Sequence, residues 1–213
     1  MRTSGLLAGI AHGFTGRAEG DLRPPAPEAS ARLVAALGGD GALRTVSQVH
    51  GARVVGAGEA DGRTEADAIV SAEPGVVVAV RVADCVPILL AAPGVVAAVH
   101  AGWRGTAADV TRATLRAVRE RTRGEVRAAV GPCICGRCYE VGDEVIAAVG
   151  RVAPGRAWLD GRRVDLAEAN AAILRDEGVA VDVLGVCTRC DEGYWSFRRD
   201  GAAGGRQAGA IRC

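Results

Sequence analysis

The stretch 76–101 constrains the fold most, because two apolar runs flank the turn residues Pro93 and Gly94. Valine, alanine and leucine dominate both runs, which predicts buried strands over 76–92 and 95–101. A Pro-Gly pair between two such runs is typical of a tight turn. The stretch therefore predicts an antiparallel hairpin at the centre of the fold.

The hairpin places two scarce, reactive residues near each other. If Ala92 pairs with Val95 across the turn, then His100 lies opposite Pro87. Cys85 is two residues from Pro87 and therefore shares its face, diagonal to His100. Diagonal neighbours lie about 7–8 Å apart at the backbone, within joint reach of one metal ion.

The remaining pattern mixes strands with helices. Hydrophobic residues make up 49% of the 213 residues but aromatic residues only 3%, which predicts a core of Ala, Val and Leu in closely packed layers. The predicted strands are 5–14, two short ones within 43–55, 126–130 and 179–186; the predicted helices are 30–37, 106–122, 139–149 and 165–176. This mixture favours a mixed α+β fold over a doubly wound parallel one, in a single domain, 1–213.

Charge and cysteine content exclude several classes of function. The net charge of +1 argues against nucleic acid as a partner. The sequence has no lysine, which excludes Schiff-base chemistry and a lysine-dependent phosphate loop. No apolar run is long enough to span a membrane. Seven cysteines without an export signal predict reduced thiols in the cytoplasm.

His50, Cys85 and His100 form a candidate three-ligand set, since His50 precedes a glycine between two predicted strands. Three protein ligands with an open fourth position are typical of catalytic zinc, which lowers the pKa of its bound water. Asp84 is the candidate proton carrier, with Asp67 and Glu65 as alternatives.

Two other chemistries fit the same residues. Copper is possible, but Met1 is the single methionine and a poor axial ligand, and three histidines are too few for a four-copper laccase. A metal-free Cys85 nucleophile with His100 as its base, oriented by Asp84 or His50, would instead make a cysteine hydrolase.

A second group of cysteines forms two Cys-x-x-Cys pairs, with one more cysteine adjacent. Such pairs fit a structural four-cysteine zinc site, although their separation is longer than in compact zinc ribbons. Redox pairing is the alternative. The residues concerned are Cys133, Cys135, Cys138, Cys187 and Cys190.

Several motifs resemble the laccase-domain family, first described as multicopper polyphenol oxidases: TEADAIVS, VADCVPILL, VVAAVHAGWRG, GPCI with CYEVG, VDLAEAN, and SFRRDG with GRQA. The resemblance implies a purine nucleoside phosphorylase that cleaves adenosine, inosine and methylthioadenosine, with adenosine deaminase activity. It implies zinc bound by His50, Cys85 and His100.

The resemblance also implies layered mixed β-sheets flanked by helices, similar to bacterial toxin cysteine hydrolases. That similarity preserves the alternative of a Cys–His hydrolase acting on amide or peptidoglycan-precursor substrates. The expected partners are purine nucleosides and phosphate, and the oligomeric state stays open. The expected substrate-binding residues are Gln48, Trp103, Arg104 and Arg206.

Overall fold

The computed structural model describes residues 1–41, 43–155 and 160–213. Its strands are β1 (His12–Phe14), β2 (Thr45–Ser47), β3 (Val54–Gly56), β4 (Asp61–Glu65), β5 (Ala68–Ser71), β6 (Val77–Val82), β7 (Val86–Ala92), β8 (Val95–Ala101), β9 (Arg127–Val130), β10 (Ala180–Val183) and β11 (Gln207–Arg212). Its helices are α1 (Pro27–Ala36), α2 (Trp103–Ala107), α3 (Val110–Arg119), α4 (Asp143–Val152), α5 (Leu166–Asp176) and α6 (Phe197–Asp200). No described helix is long and apolar enough to cross a membrane.

The described strands form a large mixed sheet, a smaller antiparallel sheet and a two-stranded ribbon. The large sheet has the order β10-β9-β7-β8-β5-β3, the smaller one β1-β11-β6, and the ribbon pairs β2 with β4. Parallel pairs (β10 with β9, β3 with β5) occur beside antiparallel ones in the large sheet. The expected mixed-sheet fold is thus confirmed.

The sheets and helices stack in layers. One face of the large sheet packs on α3, α4 and α5, and the other packs on the smaller sheet, whose far face carries α1. Strand alternation explains this, because Ile88 and Leu90 enter the first core while Leu89 enters the second. Small alanines and valines at the contact let the two sheets pack face to face, as the composition predicts.

The predicted hairpin register is confirmed. Ala92 pairs with Val95, and Pro87 pairs with His100. The prediction of one continuous strand over 76–92 is wrong, because the chain bends at 83–85 and passes from β6 in the smaller sheet to β7 in the large one. Cys85 therefore lies on a bend between two sheets and not on a strand.

Other predicted boundaries need correction. The structure has two helices where one is predicted over 106–122. Asp109 adopts φ 64°, which interrupts the helical hydrogen bonding between α2 and α3. The helix over 139–149 begins only at Asp143, after an extended Gly142. The strand over 5–14 is a 3₁₀ turn, Gly5–Leu7, followed by β1.

Further differences concern less apolar segments. The helix over 30–37 starts earlier, at Pro27, because proline suits the first helical turn. Strand 179–186 is shorter, as β10. The segment 56–66, expected to be a connection, contains β4, whose charged residues give no apolar signal.

The helix over 165–176 is confirmed as α5, and it carries a buried polar contact. Asp165 caps it by accepting from the Glu168 amide at 2.9 Å. Asn170 accepts from the Thr111 hydroxyl at 2.6 Å and donates to the Thr106 hydroxyl at 3.0 Å. All three of these side chains are buried, so Asn170 joins α2, α3 and α5.

Replacing Asn170 by alanine is expected to lower the free energy of unfolding by about 2–3 kcal/mol, because both threonine hydroxyls lose a buried partner. Urea unfolding measures the loss. Arg116→Ala on α3 is the control and should change the stability by less than about 0.5 kcal/mol. If Asn170→Ala and the control unfold at the same urea concentration, the buried contact of Asn170 does not stabilise the fold.

Candidate active site

Two loops and the end of a strand bring His50, Cys85 and His100 together at one end of the two stacked sheets. His50 lies between β2 and β3 with φ 61°, and Cys85 follows Asp84, whose φ is 83°. His100 lies near the end of β8. The two left-handed conformations turn the chain sharply, and they direct residues from separate sheets to a common point.

The candidate ligand atoms form a compact group. One atom from each of the three side chains lies within 4.8 Å of the others. The sulfur of Cys85 is 3.9 Å from Nε2 of His50. The imidazole rings of His50 and His100 lie edge to face, with 4.7 Å between the ring centroids. His100 is buried whereas His50 is exposed, so the group opens to solvent on one side. A His₂Cys set with an open side matches the donors of a catalytic zinc site.

Asp67 holds two of the three ligands in place. Its fully buried carboxylate accepts from Nδ1 of His100 at 2.8 Å and from the amides of His50 at 2.9 Å and Gly51 at 2.6 Å. Nδ1 of His100 is thereby engaged, which leaves Nε2 to face Cys85. A carboxylate behind a ligating histidine is the usual support of a protein metal site.

In the metal-free protein, Cys85 and His100 shift each other's pKa so that each favours the charged form of the other. Burial raises the pKa of the Cys85 thiol, but His100 and His50 more than offset it and lower the pKa to about 6. Burial lowers the pKa of His100, but Cys85 and Asp67 raise it to about 9. At neutral pH the pair is a thiolate beside an imidazolium.

Gly102 gives the site its close packing. A Cβ at this position would lie 3.0 Å from the sulfur of Cys85 and 3.0 Å from Cδ2 of His50. Any side chain there would therefore push against two candidate ligands. This contact explains the first glycine of the HAGWRG segment.

Asp84 supports the bend that carries Cys85. Its carboxylate accepts from the Thr188 hydroxyl at 2.6 Å and from the Arg198 amide at 2.8 Å. Its own carbonyl accepts from the Ile134 amide at 3.0 Å. These contacts give Asp84 a positioning role, and the catalytic role expected for it stays a prediction.

The ligand group opens into a cavity of about 650 Å³. This volume lies within the range of small-molecule sites. The described lining residues include aromatic rings, arginines and the three candidate ligands: Arg23, Pro24, Ser47, Gln48, His50, Gly62, Arg81, Val82, Ala83, Asp84, Cys85, His100, Trp103, Ile134, Tyr139, Leu166, Phe197, Arg198 and Arg206.

The expected substrate-binding residues differ in their placement. Trp103 and Arg206 line the cavity, whereas Arg104 stacks on the Trp103 ring at 4.2 Å and is not among the described lining residues. Gln48 also lines the cavity, but its amide bonds the backbone of Arg81 through both its oxygen and its nitrogen. Gln48 thus fixes the cavity wall, and its contact with substrate stays a prediction.

Sequence reasoning missed several lining residues, chiefly Tyr139 and Phe197. Phe197 is 52% exposed, which is unusual for a large apolar ring, but this exposure is a property of the fold and gives no signal in the sequence. Burial raises the pKa of Tyr139 to about 12, with Cys85 adding to the shift. Its hydroxyl therefore stays protonated at neutral pH.

The third histidine of the sequence, His12, belongs to the structural core. Its Nε2 accepts from the Ser4 amide at 2.9 Å, and its Nδ1 lies 2.7 Å from the carbonyl of Ile10. Both ring nitrogens are engaged away from the cavity. Only His50 and His100, of the three histidines, are left as candidate imidazole ligands at the cavity.

Comparison with known proteins gives a consistent set of similarities. Residues 2–213 match the family described as multi-copper polyphenol oxidoreductase laccase. A purine nucleoside phosphorylase of Deinococcus radiodurans is 44% identical, covering 99% of this chain and 86% of that protein. Adenosine deaminase RL5, from an unknown prokaryotic organism, is 38% identical, covering 66% of this chain and 59% of that protein. The crystal structure of hypothetical protein YfiH from Bacillus licheniformis superposes with a TM-score of 0.81 at 26% identity, covering 94% of this chain and 91% of that chain.

Proposed function

Because this chain belongs to the multi-copper polyphenol oxidoreductase laccase family, we propose that it is a zinc-dependent purine nucleoside phosphorylase with adenosine deaminase activity. The proposal follows the names of two similar proteins, a purine nucleoside phosphorylase and an adenosine deaminase. One observation carries the proposal: the His50, Cys85 and His100 group opens into a cavity lined by aromatic rings and arginines. Aromatic rings suit a purine base, and arginines suit phosphate.

The donor set favours zinc over copper. Two imidazoles and one thiolate with an open position are typical of catalytic zinc, and the weak axial methionine common at blue-copper sites has no candidate besides Met1. When bound, zinc would act as a Lewis acid and lower the pKa of a coordinated water. Cys85 is already a thiolate before zinc binds, whereas His100 must lose its proton to become a ligand.

Aromatic side chains would hold the base. Phe197, Trp103 and Tyr139 line the cavity, so their rings would stack on a purine base, and the Tyr139 hydroxyl would donate to an acceptor nitrogen of the purine. In deamination, water adds to C6 of adenosine and ammonia leaves, which requires the base to lie with its C6 edge toward His50 and Cys85.

Arginines would hold phosphate for phosphorolysis, in which a phosphate oxygen attacks C1′ and the bond from C1′ to N9 breaks. Arg198 and Arg206 both line the cavity. Arg198 uses its two terminal nitrogens on the Glu140 carbonyl at 3.1 Å, and Arg206 uses one on the carbonyls of Gly204 and Gly205. Each guanidinium has five donors, so both retain donors for an anion. We assign phosphate binding to Arg198 and Arg206.

Incubating the zinc-loaded protein with adenosine, with and without phosphate, tests the proposal. Adenine and ribose 1-phosphate are expected only with phosphate, and inosine is expected in both mixtures. Arg206→Gln should suppress adenine release while leaving inosine formation largely intact, because phosphate takes no part in deamination. If neither adenine nor inosine forms, the proposed function is wrong.

A second candidate function is a cysteine hydrolase acting on amide-containing substrates, and the ionised Cys85 beside His50 and His100 favours it. It predicts full activity after zinc is removed and complete loss after Cys85 is alkylated. The phosphorylase predicts instead that metal removal abolishes activity and that zinc restores it.

Zinc binding at pH 7.5 is expected to release about one proton per ion at the His50, Cys85 and His100 site, because His100 is protonated there and Cys85 is not. The affinity should accordingly rise about tenfold per pH unit between about pH 7 and 9 and level off above. Calorimetry in two buffers of different ionisation enthalpy counts the proton. Cys85→Ser, titrated in parallel, supplies the contribution of zinc bound elsewhere. Release of no proton would contradict an imidazolium at His100.

A further inference from the structure

The two Cys-x-x-Cys segments lie side by side at the end of the large sheet. Residues 135–138 follow β9, and residues 187–190 follow its parallel neighbour β10. Parallel strands end at the same edge, so the loops that follow them meet. The Thr188 amide donates to the Cys133 carbonyl at 2.9 Å, which joins the two loops.

The four sulfur atoms of these segments form one group, called here the four-cysteine cluster: Cys135, Cys138, Cys187 and Cys190. All four lie within 4.8 Å of one another, and none is in a disulfide. A tetrahedral zinc with Zn–S bonds of about 2.3 Å separates its sulfurs by about 3.8 Å. The sulfurs of Cys138 and Cys190 are 3.3 Å apart, so small adjustments would complete the tetrahedron.

A backbone contact supports a thiolate in the cluster. The Cys135 amide donates to the sulfur of Cys187 at 3.3 Å. An amide donor favours the ionised form of the sulfur that accepts from it, and this is the form that binds a metal.

The surrounding charge suits a zinc ion with four thiolates, which carries two excess negative charges. Arg137 and Arg189 occupy the third position of the two Cys-x-x-Cys segments, and Arg189 donates to the Cys138 carbonyl at 3.3 Å. Cys133 is buried and lies outside the cluster. A set of four cysteine ligands is typical of a closed structural zinc site, which has no open position for a substrate.

We propose that the four-cysteine cluster binds a second, structural zinc ion, separate from the ion at His50, Cys85 and His100. The ion would cross-link two loops that are far apart in sequence and that both adjoin residues of the cavity wall. Tyr139 directly follows Cys138 and lines the cavity. Thr188 directly follows Cys187 and donates to Asp84, the residue before Cys85. Loss of this zinc would therefore loosen the wall as well as the cluster.

Metal content of the full chain, purified under reducing conditions without chelator, tests the proposal. We expect two zinc ions per chain in the unaltered protein, and one in Cys85→Ser. Cys138→Ser with Cys190→Ser should also bind one and should lower Tm by at least about 5 °C. Cys213→Ser, which alters a cysteine outside both groups, is the control and should keep two.

Cobalt substitution gives a readout that does not depend on the double variant folding. In Cys85→Ser, cobalt(II) bound at the cluster should show strong thiolate charge-transfer bands and the visible spectrum of a tetrahedral site. Cobalt bands that disappear entirely in Cys85→Ser would overturn the proposal. So would a double variant that retains two zinc ions, or a thiol count showing the four cysteines oxidised in the purified protein.

Discussion

Replacing Cys85 by serine is expected to lower kcat/KM for adenosine by at least about 10³-fold and to remove one zinc ion per chain. A serine hydroxyl is not ionised at neutral pH, so the site would lose its one anionic ligand and would bind zinc much more weakly. The Lewis acid that the ion would supply would be lost with it. Steady-state kinetics and metal analysis on the same preparations measure both effects. Cys213→Ser is the matched control, because it changes the same atoms at a cysteine outside the candidate site.

The two readouts together separate the candidate functions. For the zinc enzyme, activity and zinc content fall together. If Cys85→Ser loses activity with its zinc content unchanged, the thiolate acts as a nucleophile, and the hydrolase becomes the better assignment. Unchanged activity would show that the cavity at Cys85 is not where adenosine reacts.

Replacing Asp67 by asparagine is expected to weaken zinc binding by about 10–100-fold, the usual effect of removing the carboxylate behind a ligating histidine. The asparagine amide group would also face the Gly51 amide, donor against donor, where the carboxylate accepts at 2.6 Å. Asp67→Ala removes every acceptor from this buried site and should lower the free energy of unfolding by about 3–5 kcal/mol.

Competition with a chromogenic chelator measures the affinity, and urea unfolding measures the stability. Glu65→Gln is the control, because it removes an exposed carboxylate from the same segment. Equal zinc affinities in Asp67→Asn and the control would show that the contact to His100 does not support the metal.

The sequence predicted the centre of the fold because local rules govern it. The hairpin register follows from one turn and strict alternation, and it placed His100 opposite Pro87 as the structure has it. The three-ligand set followed from the scarcity of histidine, and the structure brings His50, Cys85 and His100 together. The identity of the bound metal and the substrate stay predictions.

The features that the sequence did not predict depend on distant contacts. Asp84 adopts its left-handed conformation with support from Thr188 and Arg198, which lie 104 and 114 residues later in the chain. The residues near Asp84 in the sequence give no sign of these distant contacts. The local pattern therefore predicts one strand over 76–92. The same reason applies to the cavity, whose wall combines Arg81 with Phe197 and Arg206.

The position of β11 has a consequence for the order in which the protein folds. β11 is the middle strand of the smaller sheet, between β1 and β6. On the ribosome, β1 and β6 emerge long before β11 and have no partner in that sheet until residues 207–212 arrive. The cavity, whose lining includes Arg206, is therefore complete only after synthesis of this segment, and until then the growing chain exposes the unpaired backbone amides and carbonyls of β1 and β6.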